Sequence, residues 1–346
     1  MRPAAAIPAA PVSAPPVFDP ERPWLAPLAG YSDLPFRLLC REYGAAVCET
    51  EMISAKGLLY ETKRTYELLR TTPEDSPLVV QIFGGDPDSV KTAAVALRGA
   101  GYRYIDFNAG CSVRKVARQG AGAALLGDAA LFMRIAKALI KAVKDEAGTT
   151  PGMVGFKLRL GVARGREVLP DLALALEDAG ADWITLHPRY AKDGFSGAAD
   201  WDEIGRLAER VSIPVIGSGD LFTATDGINL ISTSDASTVM YARGALYNPD
   251  IFNEHKNLLT GRTANEPDKN ALAKIIRRHI ELARIHGPEK RAFVKTRSLI
   301  PRYVRAFPGA ASLRGRLCEV PDWDALNELL YDFFRGAPDE SEERTG

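Results

Sequence analysis

The feature that most constrains the fold of this chain is a regular alternation of short apolar runs with segments of helical periodicity. Eight apolar runs, rich in Val, Ile, Leu and aromatic residues, lie between residues 24 and 241, and a helical pattern follows each. Strands that are apolar on both faces and alternate with helices are typical of a parallel sheet. Eight such units in about 220 residues favour a closed (β/α)8 TIM barrel over an open sheet. The predicted strands are residues 24–27, 45–48, 78–82, 104–107, 152–158, 183–187, 214–217 and 237–241.

The pattern changes after the last predicted strand. Leu272, Ile275 and Ile276 recur at helical spacing, and no strand-like run follows them. We therefore expect a catalytic barrel domain over residues 21–262 and a smaller helical domain over residues 266–335. Residues 1–20 are rich in Ala and Pro, and residues 336–346 are polar and acidic, so we expect a disordered leader and a disordered tail.

Charge and cysteine usage limit the classes of protein to which this chain can belong. Lys+Arg and Asp+Glu both total 44, so the net charge indicates no partner. Between Lys274 and Arg316, however, twelve Lys and Arg residues accompany only two Glu residues. This local excess indicates an RNA-binding surface, with a solvated face as the alternative. The four Cys and four His show no metal-ligand spacing, and no apolar stretch could span a membrane, so we expect a reduced cytoplasmic protein without a metal site.

Polar residues cluster at the C-terminal ends of the predicted strands, where a barrel places its active site. Each has a plain structural reading: Lys157 could cap a strand, and His187 could be a core histidine. Together they predict a functional site. The residues at these ends are Pro27, Leu28, Ala29, Glu51, Gln81, Asn108, Cys111, Lys157, His187, Ser218, Gly219, Asp220, Ala242 and Arg243.

The loop after the fourth predicted strand carries a thiol, Cys111, and then a basic group formed by Arg114, Lys115 and Arg118. A run of small residues at 120–124 follows, and small residues let a backbone approach a ligand or a neighbouring strand closely. A thiol on such a loop is well placed for chemistry. The alternative is a buried structural cysteine.

The last two strand–helix loops indicate a phosphate site, because barrels commonly bind phosphate there. Gly217-Ser218-Gly219 follows the seventh strand, and Arg243-Gly244 follows the eighth. Flavin mononucleotide (FMN) fits this arrangement, with Lys157 and His187 placed to stabilise the negative charge near N1 of the reduced ring. A phosphorylated substrate without a flavin is the alternative. No glycine run completes a dinucleotide fingerprint, so we expect no resident NAD fold.

Seven motifs, in this order, make the chain resemble the tRNA-dihydrouridine synthases, which are flavin enzymes with a barrel and a helical C-terminal domain. The resemblance covers residues 24–335, and the joint order of the motifs is far more specific than any one of them. The motifs are APLAGYSDLPFR at 26–37, QIFGGDP at 81–87, DFNAGCSVRKVARQGAGAALL at 106–126, KLRLG at 157–161, LHPR at 186–189, PVIGSGD at 214–220 and MYARGAL at 240–246.

The resemblance implies a role for individual residues. Cys111 takes the place of the family's proton donor. The chain departs from the family at Ser112, where Pro is usual, at Ser218, where Asn is usual, and at Ala242, where Gly is usual. The implied FMN contacts are Pro27, Leu28, Ala29, Gln81, Lys157, His187, Ser218, Gly219, Asp220, Ala242 and Arg243. The expected RNA contacts are Asn108, Arg114, Lys115, Arg118, Arg189, Arg277 and Arg278.

The activity implied by the resemblance is the reduction of the C5=C6 bond of specific uridines in RNA, most of all tRNA, to 5,6-dihydrouridine. The enzyme would be an NAD(P)⁺-linked oxidoreductase acting on CH–CH groups, with NADPH as the transient reductant of the flavin. A thiol with an ordinary pKa of about 8.5 is protonated at neutral pH and can give the proton. The base must leave its stack to reach the flavin, which favours loop RNA. We expect a monomer with no stable protein partner.

Two other interpretations remain open. A small-molecule FMN barrel, such as a dihydroorotate-type dehydrogenase, also pairs FMN with a nucleophile or base on a loop, but it needs no basic helical domain. A non-catalytic RNA-binding relative would not need Cys111, Lys157 and His187 together.

Overall fold

The computed structural model describes residues 7–60, 63–145, 150–264 and 267–335. It confirms the predicted (β/α)8 barrel followed by a helical C-terminal region. The strands are β1 (Trp24–Leu25), β2 (Val47–Glu49), β3 (Ile53–Ser54), β4 (Leu78–Phe83), β5 (Tyr104–Asn108), β6 (Met153–Gly161), β7 (Trp183–Tyr190), β8 (Val215–Ser218) and β9 (Thr238–Tyr241). All pairings between these strands are parallel. The barrel closes because β1 pairs with β2 and with β9, while β2 also pairs with β4.

Helices cover the outside of the barrel and form the C-terminal region. Strand β3 and the helix after it were not predicted, because they are too short to show a periodicity. The helices are α1 (Leu34–Glu42), α2 (Ala55–Leu59), α3 (Lys63–Leu68), α4 (Pro87–Gly99), α5 (Arg114–Ala117), α6 (Ala129–Lys144), α7 (Asp171–Asp178), α8 (Asp202–Ala208), α9 (Ala224–Thr233), α10 (Arg243–Tyr247), α11 (Ile251–Leu259), α12 (Lys269–His286), α13 (Glu289–Tyr303), α14 (Ala310–Glu319) and α15 (Trp323–Arg335). None of these described helices is long and apolar enough to cross a membrane.

The interior of the barrel is layered, because alternate residues of a strand face the same side. The layer at the N-terminal ends is apolar, and Gly155 makes room in it for Trp183, since a Cβ at Gly155 would lie 1.8 Å from the indole ring. Two residues further along their strands, Glu49, Gln81 and Asp106 form a polar layer with no solvent exposure. The apolar layer contains Trp24, Ala26, Val47, Val79, Tyr104, Trp183, Ile216 and Met240.

The segment expected to be a disordered leader contacts the N-terminal face of the barrel over its described part, residues 7–20. The amide N of Ala10 donates to the carbonyl of Ala100 at 2.8 Å, and Trp24 Nε1 donates to the carbonyl of Val17 at 2.8 Å. The Phe18 ring lies 5.3 Å from that of Trp24. These contacts give residues 7–20 defined partners on the barrel, because extended backbone rich in Ala and Pro can pack on an aromatic face. Residues 1–6 and the expected tail, 336–346, lie outside the described residues.

The helical region docks on the side of the barrel formed by α1 and the loop after β1. Lys295 of α13 lies 2.9 Å from Asp33 Oδ2 and 3.0 Å from Glu51 Oε1. Arg302 of α13 donates to the hydroxyl of Tyr31 at 2.6 Å. These contacts place α13 beside the C-terminal mouth of the barrel.

A buried ion pair fixes the start of α1. Arg37 Nη2 lies 2.7 Å from Asp75 Oδ2, and the two side chains are 1% and 0% exposed. The same guanidinium donates to the carbonyls of Ser32 and Arg70, both at 2.8 Å. Arg41 Nε lies 3.5 Å from Asp75 Oδ1 and forms a second, longer ion pair. Losing Arg37 would leave the buried Asp75 with only this weaker partner, which is destabilising.

We expect Arg37→Met to lower the free energy of unfolding by about 3 kcal/mol, the lower end of the cost of breaking a buried pair, because the buried Asp75 would keep only the more distant Arg41 as a charged partner. Arg278→Met is the matched comparison. Arg278 pairs with Glu42 at 2.6 Å, but these side chains are 38% and 39% exposed. Loss of such an exposed pair is expected to cost less than about 1 kcal/mol. Urea unfolding of both variants and the wild type measures the difference, and equal losses would contradict the assignment.

Candidate active site

A cavity of about 260 Å³ lies at the C-terminal ends of the barrel strands, large enough for a small organic group but not for a folded RNA. Ten of the eleven expected FMN contacts line it, together with Asn108 and Cys111. The ten are Pro27, Leu28, Ala29, Lys157, His187, Ser218, Gly219, Asp220, Ala242 and Arg243. Strand ends from all around the barrel therefore meet at one site, as the barrel rule predicts.

Gln81 is the exception, because its side chain is fully buried in the polar layer below the cavity and is not part of the lining. Its Nε2 donates to Asp106 Oδ2 at 2.8 Å and to Glu49 Oε2 at 3.2 Å. Its Oε1 accepts a hydrogen bond from Asn108 Nδ2 at 2.8 Å. All of its polar atoms are thus used by other side chains of the protein.

The polar layer places two carboxyls close to Lys157. Burial, reinforced by the neighbouring Asp106, raises the pKa of Glu49 well above its usual range. Burial likewise raises the pKa of Asp106 to about 7, although Gln81 and Lys157 oppose the shift. Burial lowers the pKa of Lys157, and the charges of Glu49 and Asp106 offset part of that effect. The carboxyls therefore favour the charged form of the lysine at the cavity floor.

The thiol loop is held from several directions. Asn108 Oδ1 accepts from the amide of Cys111 at 2.9 Å and from that of Gly110 at 3.2 Å. The carbonyl of Cys111 accepts from the amide of Ala123 at 2.9 Å. Gly122 has φ +63, and a Cβ there would lie 2.6 Å from the carbonyl oxygen of Cys111. The small-residue run thus allows a close approach, but to the thiol loop itself.

His187 is held as a neutral ring with a defined tautomer. Burial and the positive charges of Lys157 and Arg159 lower its pKa to about 2, so it carries no charge at neutral pH. Arg189 Nη1 lies 3.1 Å from His187 Nε2. Because a guanidinium can only donate, Nε2 accepts and the ring proton sits on Nδ1. His187 can therefore offer a neutral N–H donor, but no positive charge.

Asp220 forms ion pairs with two arginines at the edge of the cavity. Arg189 binds both of its carboxylate oxygens, and Arg243 Nη2 lies 2.9 Å from Oδ1. Burial alone would raise the pKa of Asp220, but the hydrogen bonds and charges of the two arginines hold it below its usual range. One carboxylate beside two guanidinium groups leaves a net positive charge. This excess suits an anionic group such as a phosphate.

The chemistry of the lining fits FMN. Apolar side chains offer a surface for a flat ring, and the cations Lys157 and Arg243 lie at the same cavity. Gly219, at φ +107, permits close packing on His187, since a Cβ there would lie 2.8 Å from the imidazole. The apolar part of the lining includes Ala26, Leu28, Met52, Leu158, Met240 and Ala242.

The expected RNA contacts are spread over different environments. Arg114, Lys115 and Arg118 are exposed on and just after α5, next to the thiol loop. Arg189 is 3% exposed and serves Asp220, so it is a buried structural arginine and not a surface contact. Arg277 is exposed, whereas Arg278 is engaged with Glu42 and Glu281, both at 2.6 Å.

Three residues of the site were missed in the sequence. Arg159 donates from Nε to the carbonyl of Gly110 at 2.8 Å and so supports the thiol loop. It lies two residues after Lys157 on one strand, and this alternation was the signal that could have found it. Phe195 and Phe222 flank the Arg243 guanidinium at 4.7 and 4.6 Å. They lie on loops whose folding no local pattern predicts.

Comparison with known proteins agrees with the motifs. The family model for dihydrouridine synthase (Dus) matches residues 24–337. A protein of Mycobacterium tuberculosis named "Probable tRNA-dihydrouridine synthase" is 35% identical over 318 residues, covering 88% of this chain and 80% of its own length. "tRNA-dihydrouridine synthase B" of Pseudomonas aeruginosa is 32% identical, covering 91% of this chain and 93% of its own length. Among solved structures, morphinone reductase matches at a TM-score of 0.44 and 14% identity over 72% of this chain and 88% of its own, which is too distant to indicate a ligand. The resemblance seen in the motifs is confirmed, and this chain belongs to the dihydrouridine synthase family.

Proposed function

We propose that this protein reduces the C5=C6 bond of specific uridines in tRNA to 5,6-dihydrouridine, with FMN as its cofactor and NADPH as the reductant. We further propose that it acts as a cytoplasmic monomer. The observation that carries the proposal is that Cys111, Lys157 and His187 line one cavity at the barrel mouth, in a chain of this family.

FMN, when bound, would supply the hydride that uridine C6 receives. The residues of this chain supply the remainder. Cys111 would give its thiol proton to C5, and Asn108 with Arg159 hold the loop that carries the thiol. Lys157 would favour the anionic reduced ring, and Arg243 would hold the phosphate.

The RNA would continue from the cavity into a groove on the helical region. This groove, of about 520 Å³, lies between α13, α14 and the end of α10. A third depression, lined by Phe222, Tyr247 and Arg305, joins the groove to the active-site cavity, because Phe222 also lines the cavity while Tyr247 and Arg305 also line the groove. The cavity, the depression and the groove are therefore adjacent, with Phe222, Tyr247 and Arg305 at their shared edges.

Aromatic rings hold the arginines of this path in place. The Phe222 and Tyr247 rings are stacked at 6.3 Å, and the Arg305 guanidinium lies 3.6 Å from the centre of the Tyr247 ring. A guanidinium that is already ordered on a ring loses less entropy when it binds a phosphate.

The groove carries positive charge that acidic groups do not neutralise. Arg297, Arg302, Arg305 and Arg314 line it, and no ion pair joins any of them to a carboxylate within the described residues. This contrasts with Arg278, whose charge two glutamates offset. A small-molecule dehydrogenase of the dihydroorotate type would have no use for such a surface, which favours RNA as the substrate.

Cys111→Ala is expected to lower the rate of dihydrouridine formation by about 10²–10⁴-fold, because general acid catalysis is typically worth that much. Flavin reduction by NADPH is expected to persist, since it does not use the thiol. Stopped-flow flavin absorbance and nucleoside mass spectrometry measure the two steps separately. Wild-type product formation by this variant would show that the acid is another group.

Lys157→Met is expected to shift the flavin midpoint potential to a more negative value, by about 30–60 mV, because the anionic reduced ring loses a positive charge. Lys157→Arg keeps the charge and is the matched control, with a smaller expected shift. Spectroelectrochemical titration of both variants measures the potentials. If the methionine variant kept the wild-type potential, Lys157 would not act on the flavin.

Arg305→Ala combined with Arg314→Ala is expected to weaken RNA binding and to flatten its salt dependence by about one to two units of slope, since each lost phosphate contact removes nearly one unit. Affinity for a tRNA transcript, measured against salt concentration, tests this.

The control for the groove variant is Lys137→Ala combined with Lys141→Ala, which removes two exposed charges from α6 on the outside of the barrel. Equal salt slopes for the wild type and the groove variant, with equal melting temperatures, would place the RNA elsewhere. A wild type that binds RNA without any salt dependence would favour a small-molecule substrate.

A further inference from the structure

A chain of side-chain hydrogen bonds runs from the buried polar layer of the barrel to the thiol loop. It begins at Glu49 and Asp106, which Gln81 Nε2 bridges at 3.2 and 2.8 Å. It continues from Gln81 Oε1 to Asn108 Nδ2 at 2.8 Å, and it ends where Asn108 Oδ1 accepts from the Cys111 amide at 2.9 Å. Glu49, Gln81 and Asp106 have no solvent exposure, and Asn108 is 7% exposed. Water therefore does not compete for these bonds.

The two carboxyls at one end and Asn108 at the other together decide which way the Gln81 amide points. If the amide were turned over, Oε1 would face an oxygen of Asp106 and an oxygen of Glu49 at hydrogen-bond distance, and acceptor would meet acceptor at each carboxyl that is ionised. Its Nε2 would at the same time face the NH₂ group of Asn108, so that donor would meet donor. Only the observed orientation satisfies both ends.

The same constraint passes to Asn108. Because Gln81 presents an acceptor, the Asn108 NH₂ group must point down into the barrel. Its oxygen is then left facing the amides of Gly110 and Cys111, which can only donate. Successive amides in a low-dielectric interior strengthen one another's hydrogen bonds. The position of the thiol loop thus depends on two carboxyls that do not touch it, because Gln81 and Asn108 connect them to it.

We propose that Glu49, Asp106 and Gln81 are positioning residues for Cys111, and that they act through Asn108 to hold the backbone of the thiol loop. Asn108 then supports the loop in addition to lining the cavity, and Gln81 gives the same support from below the cavity. The expected effect on catalysis rests on the proposed function, in which Cys111 is the proton donor. The hydrogen bonds that hold the loop do not depend on that role.

Other contacts hold other parts of the loop. The amide of Ala109 donates to the carbonyl of Lys157 at 2.9 Å, and Arg159 holds the carbonyl of Gly110 at 2.8 Å. The amides of Gly110 and Cys111, by contrast, both use Asn108 Oδ1. Hydrogen exchange at these two amides therefore reports on the chain of bonds and not on the loop in general.

The test compares Gln81→Met and Asp106→Asn with the wild type in the absence of RNA and NADPH. Methionine keeps the length of the side chain but removes the acceptor for Asn108, while asparagine no longer forces the orientation of Gln81. We expect hydrogen exchange at the Gly110 and Cys111 amides to quicken by about tenfold in Gln81→Met and by less in Asp106→Asn. We also expect the Cys111 peptide to react with iodoacetamide about fivefold faster, because the freed loop exposes the thiol.

Glu254→Gln is the matched control. Glu254 is a buried carboxyl of α11, 7% exposed, whose Oε1 accepts from Asn248 at 2.7 Å. Neither Glu254 nor Asn248 lines the active-site cavity. This variant should leave exchange and alkylation at the loop unchanged. In activity assays, kcat for dihydrouridine is expected to fall in Gln81→Met while KM for tRNA is retained, which a general loss of structure would not produce.

Unchanged exchange and alkylation in a folded Gln81→Met protein would overturn the proposal. If that variant does not fold, Asp106→Asn decides in the same way. These measurements use neither RNA nor turnover. A result in favour of the positioning role would therefore stand even if Cys111 proved not to be the proton donor, and a failure here would leave the proposed reaction untouched.

Discussion

The rest of the site depends on a polar layer buried inside the barrel. Three side chains that would be solvated on a surface, Glu49, Gln81 and Asp106, are enclosed between an apolar layer below and the cavity above. Burying such groups is unfavourable unless hydrogen bonds and opposite charge offset the loss of water. Here one amide bridges both carboxyls, and Lys157 lies above them. The layer therefore favours the charged form of the lysine at the cavity floor and, through Asn108, ties the thiol loop to the barrel.

The positive charge at the barrel mouth is arranged on two scales. Close to the cavity, Asp220 keeps Arg189 and Arg243 in place, and His187 stays neutral because it is buried among cations. Further out, Arg305 and its neighbours on the helical region form a wider basic groove. The first arrangement suits a small anion, and the second suits the phosphates of a long polyanion. The docking of α13 beside the loop after β1 brings the two together.

The sequence predicted most of the fold and the lining of the cavity, since both follow from local rules. Apolar runs separated by helical patterns indicate the barrel, and strand ends in a barrel meet at one mouth. The layer of the barrel in which a side chain lies was harder to predict from the sequence. Gln81 and Asn108 both lie near the ends of their strands, yet Gln81 pairs with Asp106 in register and so sits one layer lower than Asn108. Relative shifts between tilted strands set that depth, and no single strand reveals them.

Partners that are distant in the sequence account for the other differences. Arg189 was expected at the RNA, but its partner Asp220 comes from the next strand–helix loop and buries it. Arg278 was also expected at the RNA, but it meets Glu42, more than 200 residues earlier in the chain. The sequence around a basic residue does not show whether an acidic residue from elsewhere in the chain pairs with it.

The central claim is that this barrel mouth reduces uridine in RNA. The most direct test incubates the purified, FMN-loaded protein with NADPH and an unmodified tRNA transcript, and then maps the product by nucleoside mass spectrometry. The account predicts a gain of two hydrogens at specific uridines, together with oxidation of one NADPH for each. Oxidation of NADPH without any change in the RNA, while a small unsaturated substrate is reduced instead, would contradict it.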